Sequence, residues 1–241
     1  MTVEKSYPPP YPHDPIREIA DDVFMVRGSI QMNALMRISR NMGVIRHDGS
    51  LMLINPIRLD AAGEEALAAL GDVKWMLRLG AFHGQDDCYY KDRFGVEFWC
   101  QPGGKTYPEP AIDVPLDSEC RLPFPDATLI PFARTRHPES VLLLSRGNGL
   151  LFSCDSIQHY GDYRHNNWIA RMMMPFIGFP KTTIIGPFWL KFMTPEGQSL
   201  RDEFEALMDY EFDSLLSAHG SFLASGAKAN LRKAIDRAFP K

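Results

Sequence analysis

Apolar positions in this chain fall mostly in short runs, and few of them form long helical stripes. Residues 23–30 alternate as a half-buried strand does, and 33–39 with 42–46 read as a second stretch of sheet. His47-Asp48-Gly49 supplies the positive φ that a tight hairpin turn needs, and 51–55 then reads as a buried strand. Asp60 is placed to cap a helix over 61–70 that Gly71 ends. A strand over 73–79, a short helix over 87–94 and a strand over 96–100 follow. Prolines and glycines crowd 101–127, which reads as loop, before a short strand at 128–132.

The clearest hairpin joins 141–144 to 150–152 through Arg146-Gly147-Asn148-Gly149. Both arms are apolar throughout, so both faces should be covered. Helical spacing returns at 200–210 and 227–238, where Ala227, Leu231, Ile235 and Ala238 share a face, with a strand over 212–217 between them. Residues 168–193 are dense in Met, Phe, Trp and Ile, but Pro175, Pro180 and Pro187 forbid a continuous helix. Core packing is the first use for that stretch, a homodimer contact the second and a lid over an apolar substrate the third. This order of elements fits an α+β fold, a four-layer αββα sandwich. A Pro-rich extended arm covers 1–18 and a single domain covers 19–241.

Composition narrows the function classes. The chain has 241 residues with a formal net charge of −4, and its basic residues form no tract, so no nucleic-acid partner is expected. The N-terminus lacks the basic-then-apolar pattern of a signal peptide and no apolar run is long enough to span a bilayer, which together predict a cytoplasmic protein without a membrane partner. Four cysteines without a CxxC pair are expected as reduced thiols. No phosphate-cradling glycine loop, dinucleotide fingerprint or Gly-x-Ser-x-Gly nucleophile elbow is found.

Candidate chemistry concentrates at three places: Leu79-Gly80-Ala81-Phe82-His83-Gly84-Gln85-Asp86-Asp87-Cys88 after a strand, Ser153-Cys154-Asp155-Ser156 after another, and Ser217-Ala218-His219-Gly220 at the end of a third. With the order of elements, these motifs resemble the metallo-β-lactamase-fold superfamily over about residues 19–240, as a divergent branch. The superfamily's His-x-His-x-Asp-His loop, a further His, a bridging Asp and a late His hold two metals, and a metal lowers the pKa of bound water to about 7.

Carried over residue by residue, the resemblance gives His83 the first ligand position, Asp87 the Asp, Cys88 the last His of the loop, Asp155 the bridging Asp and His219 the late His. Gln85 stands where a second His belongs. Thr135-Arg136-His137-Pro138-Glu139-Ser140 resembles the segment that carries the middle His; His137 is the candidate ligand, although ungapped counting from Ser140 puts Arg136 there. Asn55-Pro56 stands where the superfamily has an Asp.

Gln is a poor zinc ligand and Cys a good one. The resemblance therefore implies one divalent metal, zinc, iron or manganese, held by some of His83, Asp87, Cys88, His137, Asp155 and His219, with Asp87 and Asp155 as catalytic carboxylates acting on a small ester-like substrate. The alternative is a metal-free ligand-binding or scaffolding protein in which these residues form a polar core. The polar-aromatic run from His159 to His165 reads either as a pocket lining or as a packed surface loop.

Overall fold

The computed structural model describes residues 5–117 and 120–240. The first sheet has seven strands in sequence order: β1 (Arg17–Ala20), β2 (Val23–Gln31), β3 (Arg37–His47), β4 (Ser50–Ile54), β5 (Asp72–Arg78), β6 (Glu97–Cys100) and β7 (Val114–Pro115). Its first four strands pair antiparallel and the last three join in parallel. The parallel crossovers carry α1 (Ala61–Leu70) and α2 (Asp87–Phe94).

The second sheet is built from β8 (Ala127–Pro131), β9 (Ser140–Leu144), β10 (Leu150–Ser153) and β13 (Ser214–Ser217), in the order β13-β10-β9-β8. A small antiparallel ribbon, β11 (Ile157–His159) with β12 (Thr183–Ile185), lies between, and α3 (Trp168–Met173), α4 (Pro187–Met193), α5 (Arg201–Ala206) and α6 (Ala227–Ala238) complete the chain.

Strand alternation assigns the layers. On β10, Leu150 and Phe152 enter the core between the sheets, whereas Leu151 turns to the core under α4, α5 and α6. On β4, Met52 and Ile54 face the other sheet while Leu51 and Leu53 pack toward α1 and α2. Both sheets are therefore covered on both faces, which gives the four-layer αββα sandwich its three apolar cores.

The β9–β10 hairpin, α1 with its Asp60 cap and α6 fall where the sequence places them; the Asp60 side chain accepts from the Gly63 N–H at 2.8 Å. Residues 33–46 divide differently, because 32–36 form a turn and β3 is a single strand from Arg37. The helix expected over 200–210 shortens to α5 and a 3₁₀ turn at Leu207–Asp209.

The stretch 168–193 is split by its prolines into α3, β12 and α4. Part of it is core, with Ala170, Met174, Trp189 and Met193 buried, and part is exposed. Residues 1–4 of the arm lie outside the described residues. The rest lies on its own domain: Lys5 and Tyr7 bond Asp92, the Ser29 hydroxyl donates to the Pro12 carbonyl, and β1 begins at Arg17. All four cysteines are free thiols. No helix among the described residues is long and apolar enough to cross a membrane.

Candidate metal centre

Parallel pairing of β10 with β13 sets Ser153 opposite Ser217. Asp155 and His219 each follow two residues beyond that pair, so both side chains leave the same end of the sheet. His83 reaches them from the loop after β5. That loop is anchored to the segment before β9 by the Ser140 N–H on the Leu79 carbonyl at 2.8 Å and the Ala81 N–H on the Pro138 carbonyl at 3.2 Å.

Close approach makes glycine necessary at two points. A Cβ on Gly80 would lie 2.6 Å from the Cys154 Sγ. Gly220 has φ +80° and its missing Cβ faces the His159 carbonyl, so only glycine lets the chain turn directly after His219. Asn55, at φ +49°, stitches the layers: its side chain accepts from the Leu79 N–H at 3.0 Å and donates to the Ser153 carbonyl at 3.3 Å. Asn41 also ties the sheets, donating from Nδ2 to the carbonyls of Ser217 and Gly220.

Three donor groups converge. The Asp155 carboxylate lies 3.1 Å from His83 Nε2 through Oδ2 and 3.1 Å from His219 Nε2 through Oδ1, and the two Nε2 atoms are 3.2 Å apart. The Cys154 Sγ joins His83 and Asp155 in a group whose ligand atoms lie within 4.8 Å of one another. His83 and His219 are 3% and 8% exposed, and the cluster reaches solvent chiefly through Asp155. His219 Nδ1 lies 2.6 Å from the Ser39 carbonyl, which can only accept, so Nδ1 carries the proton and Nε2 of the neutral ring presents a lone pair. His83 Nδ1 is buried and has no hydrogen-bond partner.

In its neutral form, with Nδ1 donating to Ser39, His219 brings no proton to its two Nε2 contacts. The His219–Asp155 contact sets a lone pair against a carboxylate oxygen, which is favourable only with a cation between them or a proton on Nε2. Separations of 3.1–3.2 Å are close to the edge of about 3.3 Å in a tetrahedron with zinc-ligand bonds of about 2.0–2.1 Å. The donor set fits a metal.

Burial pushes the His83 imidazole down to about 4, with Arg40 adding to the effect against the pull of Asp155. Burial would raise the Asp155 carboxyl, but the two imidazoles facing it outweigh burial and hold it well below the usual carboxylate range.

The structure does not bring the other expected ligands to this cluster. Asp87 is fully buried and its Oδ2 accepts from Arg78 Nη1 at 2.9 Å, so its partner is a guanidinium and not a metal-binding imidazole. Burial pushes its carboxyl up to about 7 against Arg78 and Arg40. Cys88 is half-buried on α2, where its charged neighbours are Glu109, Asp87, Asp92 and Lys5 on the side of the arm. His137 packs edge-on against Phe82, with centroids 5.7 Å apart. Arg136 is exposed and its N–H donates to the Met193 carbonyl. Gln85 bonds Asp86.

The run from His159 to His165 is mostly packing: His159 Nδ1 bonds the Thr183 hydroxyl, Tyr160 donates to Gln158, Asp162 pairs with Arg27, and His165 faces Asp14.

Residues that sequence reasoning passed over complete the surroundings. Cys154, adjacent to Asp155 in the sequence, was a visible candidate. Glu139 is fully buried; its Oε1 accepts from the Ser156 N–H at 2.8 Å and its Oε2 from the Trp189 indole N–H at 2.7 Å. Arg40 is 2% exposed and its Nη2 donates to the His83 carbonyl at 2.8 Å. Nothing local in the sequence marks Glu139 or Arg40, since each acts on segments distant along the chain.

No family model and no curated protein matches the chain. Solved structures do. A metallo-β-lactamase from Hirschia baltica superposes with a TM-score of 0.65 at 15% identity, over 95% of this chain and 99% of that one. The DIM-1 metallo-β-lactamase, in a crystal exposed to ceftazidime, gives 0.66 at 11% identity over 98% and 100%. The mono-zinc form of FIM-1 from Pseudomonas aeruginosa gives 0.61 at 12% identity over 96% and 98%. The chain has the metallo-β-lactamase fold. Within it, a His83–Asp155–His219 cluster stands at the end of the second sheet, with Cys154 beside it.

Two predictions follow from the buried charges. Arg78→Met leaves Asp87 buried without its cation and should cost about 3–5 kcal/mol in urea unfolding, whereas Arg78→Met with Asp87→Leu should recover most of that loss. A double variant as unstable as the single one would show that the pair does not neutralise itself.

Burial, joined by the charge of Asp155, pushes the Glu139 carboxyl up to about 8 from 4.5. Between those values the folded state keeps a proton that the unfolded chain has released, so this group's contribution to stability falls as pH rises. The wild type should therefore lose more stability than Glu139→Gln between pH 5 and pH 8 when both are unfolded in chelator. Equal pH slopes would contradict a protonated Glu139.

Proposed function

We propose that this is a metallo-β-lactamase-like protein with a reduced, mononuclear site that hydrolyses a small ester-like substrate. The observation that carries the reading is the His219 tautomer: with Nδ1 committed to the Ser39 carbonyl, Nε2 offers its lone pair to the same point as Asp155 and His83 Nε2. Those three atoms, with the Cys154 thiol in reserve, would hold the metal. Two imidazoles and a carboxylate suit zinc, and iron or manganese accept the same donors. A divalent metal bound there would supply a water of pKa near 7 and polarise the scissile carbonyl.

The surroundings support one metal over two. Gln85 bonds Asp86, Asp87 is spent on Arg78, and the Arg40 guanidinium is fixed on the His83 carbonyl. That fixed charge lies where a second cation would be repelled. The mono-zinc form of FIM-1 is a structural neighbour with one metal.

In this reading the chain's own residues act as follows. The Ser39 carbonyl orients His219 and holds its proton on Nδ1. Asp155 would orient the attacking water and take up its proton through a carboxylate oxygen. Glu139 fixes the turn after Asp155 through the Ser156 N–H. The substrate enters on the side where Asp155 meets solvent.

A metal-free ligand-binding or scaffolding protein is the second reading. It draws on His83 Nδ1, which lacks the outer partner that metal-ligating histidines usually have.

Turnover of p-nitrophenyl esters, lactones and thioesters by protein loaded with zinc, iron or manganese separates the two. At least one substrate class should be cleaved. His219→Ala and Asp155→Ala should each cost more than the roughly 10–100-fold that loss of an outer partner costs. No turnover in any metal form, or turnover indifferent to Asp155→Ala, favours the metal-free protein.

A further inference from the structure

Most of the large apolar side chains left exposed lie on one face. Phe176 is 90% exposed, Trp168 70%, Leu35 66%, Met172 65%, Phe192 57% and Phe188 43%. They come from distant parts of the sequence and are fastened together. The Asn167 side chain donates to the Leu35 carbonyl at 2.7 Å, and its N–H donates to the Arg37 carbonyl at 2.9 Å, which holds the β2–β3 turn against the start of α3. Trp168 and Met172 are one turn apart on α3, and Phe188 and Phe192 one turn apart on α4. The Phe179 and Phe188 rings, 5.4 Å apart, join the end of the α3 turn to α4.

The segments that build this face carry charge of one sign. No Asp or Glu occurs from 23 to 47 or from 163 to 195, although the chain as a whole carries −4. Arg171, Lys181 and Lys191 are exposed within those limits. An isologous dimer through this face would bring two copies of the same cations together, so a second copy is a poor occupant. Exposed Trp, Phe and Met rimmed by Lys and Arg, without acid, are instead the pattern of a surface that inserts shallowly among lipid headgroups. Helices of six and seven residues suit such a wedge.

We infer that the face formed by the β2–β3 turn, α3 and α4 docks on an anionic lipid bilayer, with Phe176 and Trp168 entering the headgroup region. This departs from the sequence-based expectation of no membrane partner. It rests on surface residues alone and stands or falls independently of the metal site.

The test uses the full chain with vesicles of phosphatidylcholine alone and with one third phosphatidylglycerol. Trp168 is a built-in reporter, because Trp99 and Trp189 are buried and Trp75 is half-buried. The wild type should cosediment with the anionic vesicles and much less with the neutral ones, and salt should release it. Tryptophan emission should move to shorter wavelength on binding, and Trp168→Phe should remove that move. Lys181→Gln and Lys191→Gln should each weaken partitioning by about fivefold. Phe176→Ser, at an exposed position that leaves the thermal melt unchanged, should weaken it at least as much. Three results would overturn the proposal: no binding to anionic vesicles, binding that ignores Phe176→Ser and lipid charge, or a dimer in sedimentation velocity that Phe176→Ser dissolves while vesicles are left unbound.

Discussion

The parallel ladder between β10 and β13 is the constraint on which the site depends. Because Ser153 pairs with Ser217, the chain leaves both strands in register and delivers Asp155 and His219 side by side. A slip of one residue would turn one of them to the opposite face. The apolar alternation of β10 guards against such a slip, since it would drive Leu151 into the core between the sheets and Phe152 out of it. Asn55 and Asn41 then fix the ends of the two sheets to each other with buried hydrogen bonds, so that the β5 loop can present His83 to the same point. Packing and the geometry of the cluster are in this way one arrangement.

Electrostatics bears on how many cations the proposed site would take. The cluster gathers one carboxylate and two imidazoles, with a thiol near. Around it, Asp87 is paired with Arg78, and the Arg40 guanidinium donates to the His83 carbonyl. A buried guanidinium cannot give up its proton. It is thus a permanent positive charge beside the cluster, which in the proposed reading opposes a second cation. The metallo-β-lactamase fold is present while Asp87 is engaged in an internal ion pair with Arg78, and the fold alone does not fix the function.

The sequence made much of this legible, in proportion to how local each signal was. The β9–β10 hairpin and α6 were readable because their period and turn residues lie within one short window. Asp155 and His219 could be placed because each directly follows an apolar strand whose end is set by its neighbours. Asp87 and Cys88 stand apart from the cluster because spacing within a loop does not fix direction; their orientations follow from Arg78 on β5 and from the arm near α2, both outside the motif. Glu139 carries no local signal within its segment, and only the fold shows that it accepts from the Ser156 N–H. The 168–193 stretch hid its division into buried and exposed faces because almost every residue in it is apolar, which leaves no contrast for a period to show.

Metal content tests the central claim most directly: plasma mass spectrometry on untagged protein and on Asp155→Ala, both incubated with zinc, iron and manganese and then desalted. A single cation site predicts about one metal per wild-type chain and close to none in the variant. No metal in the wild type would contradict the site itself. Two per chain would contradict the role given to Arg40 and Arg78 in excluding the second.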